Sequence, residues 1–498
     1  MARRIWCMAL VLCVLLLGGC DKVPELPDNT VTPSKAPTAQ TPEEPLVFAL
    51  AYSHDDTLNP FSATTEVNLQ LSYLLYDSLT VITDGYIPEL SLASGITQPD
   101  ATHLVVTLRE GAVFSDGSAV TAEDVVKSFQ AAQTSPNYAS LVSNVTSAKG
   151  DGKKNEITFT LALPDMHAQA CLTFPIVKAS TLTDAAAQAP VGGGLYRIEQ
   201  TDDGLLLAKN PQHPAEVQFP EVALRHLPNG AARYYALASG RLAYYFDDLS
   251  EGELPRVTGA SMPVEMNTLL WLGVNSAHKH LAIPAVRQAL SLLLDRSVLA
   301  SVYGDSGVVT ASPLPASWKP MEGCVLPSAA QNTEKAKALL AEAGYPVSDK
   351  KQPELRLIYY SGRQDRSVVA EHIRTQAEAC GIRIALTPLD EEEYRQALAE
   401  GEYELYLGEF RPTADMSLRG LLLGGDTSYG VAEDSTAKAA YLSYLGGETT
   451  LQEFLDAFAA DLPYIPLCGW GGIAAYDRRL TVVTPTGYNP YHGIAEWQ

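Results

Sequence analysis

Polar and apolar side chains alternate along several short stretches of the first half of the chain. His103, Val105 and Thr107 interleave with Leu104, Val106 and Leu108, so His103 to Leu108 reads as a strand with one buried face. Val47 to Ala51, Glu156 to Leu161 and Leu205 to Lys209 read the same way, with Gly, Pro and Asn turns between strands. Asp116-Gly117 is a turn pair, since Gly accepts positive φ. Thr121 then caps a helix, Asp124 completes a capping box, and Val125, Val126 and Phe129 begin its apolar face.

The second half changes period. Pro284 suits a first helical turn, and Val286, Leu290, Leu293, Leu294 and Val298 continue as one helical stripe. The helix ending Leu339-Leu340-Ala341-Glu342-Ala343 stops at Gly344. Leu355 to Tyr360 is a strand, Val368, Val369 and Ile373 mark a helix stopped by Gly381, and Ile382 to Leu386 is a strand. A helix around Tyr394 and Leu398 stops at Gly401, and Tyr403 to Leu407 follows as a strand. This β-α-β-α-β order predicts an α/β sheet with helical crossovers. Leu451, Phe454, Leu455 and Phe458 form a last helix before a strand at Tyr464 to Leu467. The pattern therefore predicts a mixed α+β first region and an α/β second region, with no internal repeat or heptad run.

The N-terminus reads as a processing signal. Arg3 and Arg4 precede an apolar run from Ile5 to Leu17, too short for a comfortable membrane span. Leu17-Gly18-Gly19-Cys20 resembles a bacterial lipobox, with Cys20 as the lipidated new N-terminus. Residues 21–45 are rich in Pro, Thr, Ser, Ala and Glu and read as a tether. Net charge is −23, and lower still once Arg3 and Arg4 leave. That excludes nucleic acid as a partner, because phosphate backbones need basic surface. Of seven cysteines, Cys7 and Cys13 leave with the signal. Cys171, Cys324, Cys380 and Cys468 remain without a CxxC pair, as a disulfide or as free thiols.

Residues 108–126 carry a resemblance. Leu108-Arg109-Glu110-Gly111-Ala112-Val113-Phe114-Ser115-Asp116-Gly117 followed by Thr121-Ala122-Glu123-Asp124-Val125-Val126 resembles a signature of the family 5 extracytoplasmic solute-binding proteins, the peptide- and nickel-type receptors of ABC importers. Leu58-Asn59-Pro60, Tyr76-Asp77-Ser78-Leu79, Leu272-Gly273-Val274-Asn275 and Val286-Arg287-Gln288-Ala289-Leu290 match the family in order. Pro190-Val191-Gly192-Gly193-Gly194-Leu195-Tyr196 is similar to its Gly-Thr-Gly-Pro-Tyr element, with Gly193 and Leu195 departing from it. The resemblance implies a two-lobe periplasmic-binding-protein-like fold with a central ligand cleft. It sets a signal peptide at 1–19, a lipid-anchored tether at 20–45, lobe I at 46–268, an inserted lobe II at 269–462 and a return to lobe I at 463–498. Hinge strands are expected near Met266 to Val274 and Leu462 to Cys468.

The same resemblance implies site residues. Thr64, Thr65 and Glu66 lie where the peptide-binding relatives' backbone pairs with an extended ligand. Ala414-Asp415 resembles the Ala-Asp of the family's Trp-x-Ala-Asp-Tyr element, whose Asp holds a peptide's α-ammonium; Pro412 and Met416 replace the aromatics. Asp415 is alternatively a cap before Leu418, Leu421 and Leu422. Arg411 is placed to hold a ligand carboxylate, or else to pair internally with Glu409 or Asp415. Trp271, Asn275, Tyr429 and Trp470 are candidates from position alone.

Catalytic motifs do not appear. Gly304-Asp305-Ser306-Gly307 resembles a protease nucleophile loop in four letters only, and no GxSxG, HExxH or Walker A sequence is present. His278 with His280, and His54 with Asp55 and Asp56, are pairs or trios that lack an evident further ligand, so no metal or cofactor is expected. The sequence thus predicts a monomeric, non-enzymatic, lipid-anchored receptor. It would capture short peptides and deliver them to an ABC permease heterodimer with cytoplasmic ATPases. The same fold binding nickel, haem or sugar, or a peptide-signal receptor, are the alternatives; a lipoprotein hydrolase lacks its nucleophile motif.

Overall fold

The computed structural model describes residues 46–183, 189–202, 204–227, 229–250, 257, 259–346, 353–424 and 428–498. The signal, the tether and Cys20 lie outside the described residues.

The first half builds two four-stranded sheets. One orders Ala49–Tyr52, Glu221–His226, Gly204–Lys209 and Tyr196–Thr201, with the first pair parallel. The other is an antiparallel meander of Ala93–Asp100, His103–Leu108, Glu156–Leu161 and Val145–Asp151. Its two middle strands bury every second residue, as their alternation predicts. The Ala122–Thr134 helix covers it and begins with the expected capping box. Asp124 accepts from the Thr121 amide and hydroxyl, and its other oxygen accepts from the Ala179 amide. The Gly192–Gly194 run lets backbones meet: a Cβ at Gly192 would lie 2.2 Å from the Leu75 carbonyl oxygen.

The second half builds a seven-stranded sheet with the predicted crossovers. Glu354–Tyr360, the Gln364–Ala379 helix, Arg383–Leu389, the Glu391–Glu400 helix and Leu405–Phe410 follow in that order. The first strand pairs parallel with both others. Gly381 and Gly401 stop the two helices with positive φ. One expectation is corrected. The stripe from Val286 to Val298 is two helices, Pro284–Leu293 and Arg296–Ser301. Leu294 is extended, and the Asp295 carboxylate accepts from the Ser297 and Val298 amides, which starts a new helix. Cys171, Cys324, Cys380 and Cys468 are all free thiols.

Apolar side chains sort into two large cores. One gathers Leu71, Leu104, Phe129, Phe159 and Trp497, and the other Trp271, Leu290, Leu357, Ile373 and Phe458. Two long antiparallel strands run through both. Ala260–Val274 gives Val264 and Met266 to the first core and Leu269 onward to the second. Tyr464–Tyr476 gives Ile465 to the second and Ala474 to the first. Their pairing loses register between Val264 and Thr268, where the strands pass from one core to the other.

Candidate functional site

A cavity of about 390 Å³ opens where the two cores approach. The Glu66–Leu75 helix contributes Ser72 and Tyr73, and the loop after Ala122–Thr134 contributes Asn137 and Tyr138. The Ala260–Val274 strand contributes Asn267, and the C-terminal segment contributes Tyr488. Arg411 to Ala414 enter directly after the Leu405–Phe410 strand, because Phe410 is the last residue paired, opposite Leu269. The lining is therefore aromatic and amide-rich with one guanidinium, a composition suited to small ligands.

Arg411 donates to the Gly487 carbonyl. Neither of its expected internal partners is available. Glu409 pairs with Arg363 and Arg366, and Asp415 lies beside Arg419. Among the described residues no carboxylate pairs with Arg411, and its charge is felt instead by the Tyr73 and Tyr86 phenols. Asp77, also at the cavity, is pushed up to about 6 by burial, against the pull of Arg109. Asn267 Oδ1 is cut off from solvent and has no hydrogen-bond partner among the described residues.

Asp415 lies at an adjoining cavity of about 270 Å³, with His167 and Trp318. It is only 5% exposed and already has partners. Thr413 donates to one oxygen, the Cys171 thiol donates to the other at 3.3 Å, and Arg419 stands 3.5 Å away. Arg419 sits closer to Asp165, at 2.8 Å. Two buried carboxylates thus share one guanidinium, and burial together with the Asp165 charge pushes the Asp415 carboxyl up. The cap alternative is corrected: the Arg419–Leu422 helix begins at Leu418 with no side-chain cap.

The remaining candidates have partners within the chain. Trp271 is 2% exposed, packed among Tyr406, Phe410 and Tyr464. Trp470 is buried against Tyr303, with Arg363 and Arg366 4.8 and 5.2 Å from its ring. Asn275 donates to the Gly401 and Tyr403 carbonyls, and Tyr429 accepts from Tyr406 OH through its carbonyl. Thr64 and Thr65 donate to the Asp56 carboxylate. Glu66 accepts from Gln70 and from the Asp248 amide; burial and the Asp248 and Asp247 charges push it up to about 9. None of these seven lines the two cavities. Ser306 is buried and donates to the Tyr303 carbonyl, so the protease-like letters form a turn.

Tyr73, Tyr138, Asn267 and Tyr488 were missed by sequence reasoning. Tyr73 carried a usable signal. It is a large aromatic off the apolar stripe of Val67, Leu71 and Leu74, and it is 49% exposed.

Comparisons agree with this architecture. The family description "Bacterial extracellular solute-binding proteins, family 5 Middle" matches residues 87–423. The oligopeptide-binding protein AppA of Bacillus subtilis is 24% identical over 376 residues, 68% of this chain and 66% of that protein. The nickel-binding protein NikA of Staphylococcus aureus is 24% identical over 315 residues, 61% of this chain and 62% of that protein. Both matches thus span slightly less than two thirds of the relative's length. The unliganded open form of MppA, a periplasmic murein tripeptide binding protein, superposes with a TM-score of 0.73 at 16% identity, over 90% of this chain and 96% of that one.

Proposed function

The chain belongs to family 5 of the bacterial extracellular solute-binding proteins, and from that premise we propose that it captures short peptides between its two lobes and hands them to an ABC permease. The observation that carries the reading is the cavity of about 390 Å³ at which Arg411 has no carboxylate partner among the described residues. A peptide's terminal carboxylate supplies that partner with bidentate geometry. Tyr73 and Tyr138 give flat surfaces for side chains. The lobes take the boundaries 46–268, 269–462 and 463–498, with the two long strands as hinges. Cys20 carries the lipid that holds the body outside the cell membrane. Asp415 acts from the neighbouring cavity, where a ligand ammonium would relieve the crowded carboxylates.

A metal chelate is the second reading, favoured by the similarity to the nickel-binding NikA, and its carboxylates would suit Arg411 equally. Incubation of the purified chain with a mixture of di- to pentapeptides, followed by mass spectrometry of the protein-bound fraction, tests the proposal. Selective, uncleaved retention of peptides supports it. Retention of none, with uptake of a nickel–histidine complex, transfers the assignment to the second reading. Peptide cleavage that tracks the protein peak contradicts both.

A further inference from the structure

Two parallel strands bring a set of metal-binding side chains together on the first lobe. Tyr52, the last residue of Ala49–Tyr52, lies opposite His226, the last residue of Glu221–His226. The chain leaving the first strand therefore places His54 and Asp55 beside His226, and the two imidazole rings stand 3.7 Å apart, edge to face. His54 Nε2 is 3.2 Å from Asp55 Oδ1, and His226 Nε2 is 3.9 Å from Asp55 Oδ2. One ligand atom from each of the three lies within 4.8 Å of the others. His54 and Asp55 alone were legible as neighbours; the third ligand is distant in sequence and joined by strand pairing.

We propose that His54, Asp55 and His226 bind one divalent transition-metal ion, with Zn²⁺ the best-suited occupant. The donor set decides the ion. Two imidazoles and a carboxylate suit Zn²⁺ and its neighbours, whereas Ca²⁺ and Mg²⁺ take oxygen. Tetrahedral ligands at Zn–N and Zn–O lengths of about 2.0–2.1 Å stand roughly 3.4 Å apart. The three side chains are exposed or half-exposed, so rotation about their own bonds brings them to that spacing without moving a core. Asp56 is committed to Thr57, Thr64 and Thr65, so water would supply the fourth ligand.

Binding has one local cost. The His54 amide donates to His226 Nδ1 at 3.2 Å, and a metal on either nitrogen of that ring displaces the bond or changes its tautomer. The amide is exposed, so water replaces the lost acceptor. A single carboxylate leaves the bound site positive, which the chain's overall charge of −23 favours. None of the three residues lines the cavities described above, so the site is separate from solute capture. The ion would tie the exit of the first strand to the end of its parallel neighbour. His278 and His280 do not make a comparable site: the His280 imidazole is held by the Tyr345 hydroxyl at 2.6 Å.

Calorimetric titration of the purified chain with Zn²⁺ alone, at neutral pH, gives the first test, with Co²⁺ absorption as the spectroscopic probe of imidazole ligation. The expected result is one ion per chain. His54→Ala and His226→Ala should each weaken it by about tenfold or more, with loss of the Co²⁺ bands. Asp55→Asn should weaken it too. Uptake that is unchanged in both histidine variants places the ion elsewhere and overturns the proposal. So does a parent chain that takes up no Zn²⁺. Thermal unfolding of the variants without metal should match the parent, which separates loss of the site from loss of the fold.

Discussion

At the scale of single residues, the cavity is defined by one uncompensated charge and one misplaced expectation. Among the described residues Arg411 holds a carbonyl and no carboxylate, so a ligand carboxylate should be its main partner. Arg411 is exposed, so the full cost applies once closure over the ligand takes the pair out of water, where losing one member costs about 2–5 kcal/mol. At roughly 1.4 kcal/mol per decade, Arg411→Ala should weaken peptide binding about thirtyfold or more by calorimetry, and C-terminal amidation should weaken parent binding similarly. Glu66 gives a prediction about pH. Its carboxyl is pushed from 4.5 up to about 9 by burial and by the Asp248 and Asp247 charges. Below the lower value both folded and unfolded chains hold the proton. Between the two values only the folded chain holds it, so its contribution to stability is lost as pH rises, by at most about 1.4 kcal/mol per pH unit. Thermal unfolding from acid to mildly basic pH should show Glu66→Gln gaining on the parent as pH rises. A parallel pair of curves contradicts the assignment. The sequence showed Asp415 and Arg411 as interesting but not their partners. Asp165 and Cys171 are supplied from the other end of the chain by tertiary packing, and no local spacing announces them.

Elements were legible wherever local chemistry dictated them. His103 to Leu108 and Glu156 to Leu161 alternate strictly because one face meets the core. Thr121 and Asp124 start their helix by side-chain bonds that four residues suffice to specify. Thr121→Ala should therefore cost about 1 kcal/mol, measured by urea unfolding. Asp124→Ala should cost more, because it also frees the Ala179 amide in the next layer. Equal costs would show that this tertiary bond contributes nothing. What the pattern missed has a common cause. The Ala260–Val274 and Tyr464–Tyr476 strands each serve two cores, so their burial changes along their length and no single period describes them. The apolar stripe from Val286 to Val298 hid a helix break, since Asp295 restarts the helix without disturbing the stripe.

At the scale of the whole molecule, two cores share two strands, and those strands slip register where the cores part. A join of this kind bends more easily than either core deforms, which is how hinged receptors close. Small-angle scattering should show a smaller radius of gyration with saturating peptide than without, and no change would remove the hinge. The cleft itself was legible only through family resemblance, because its lining comes from six separate segments that periodicity cannot join. The most direct test of solute capture is native mass spectrometry of the chain purified from peptide-rich medium. The account predicts a discrete bound mass that denaturation releases as a short peptide, and that is absent from Arg411→Ala prepared alongside. A parent chain that carries no bound mass, and gains none when a di- to pentapeptide mixture is added, would contradict it.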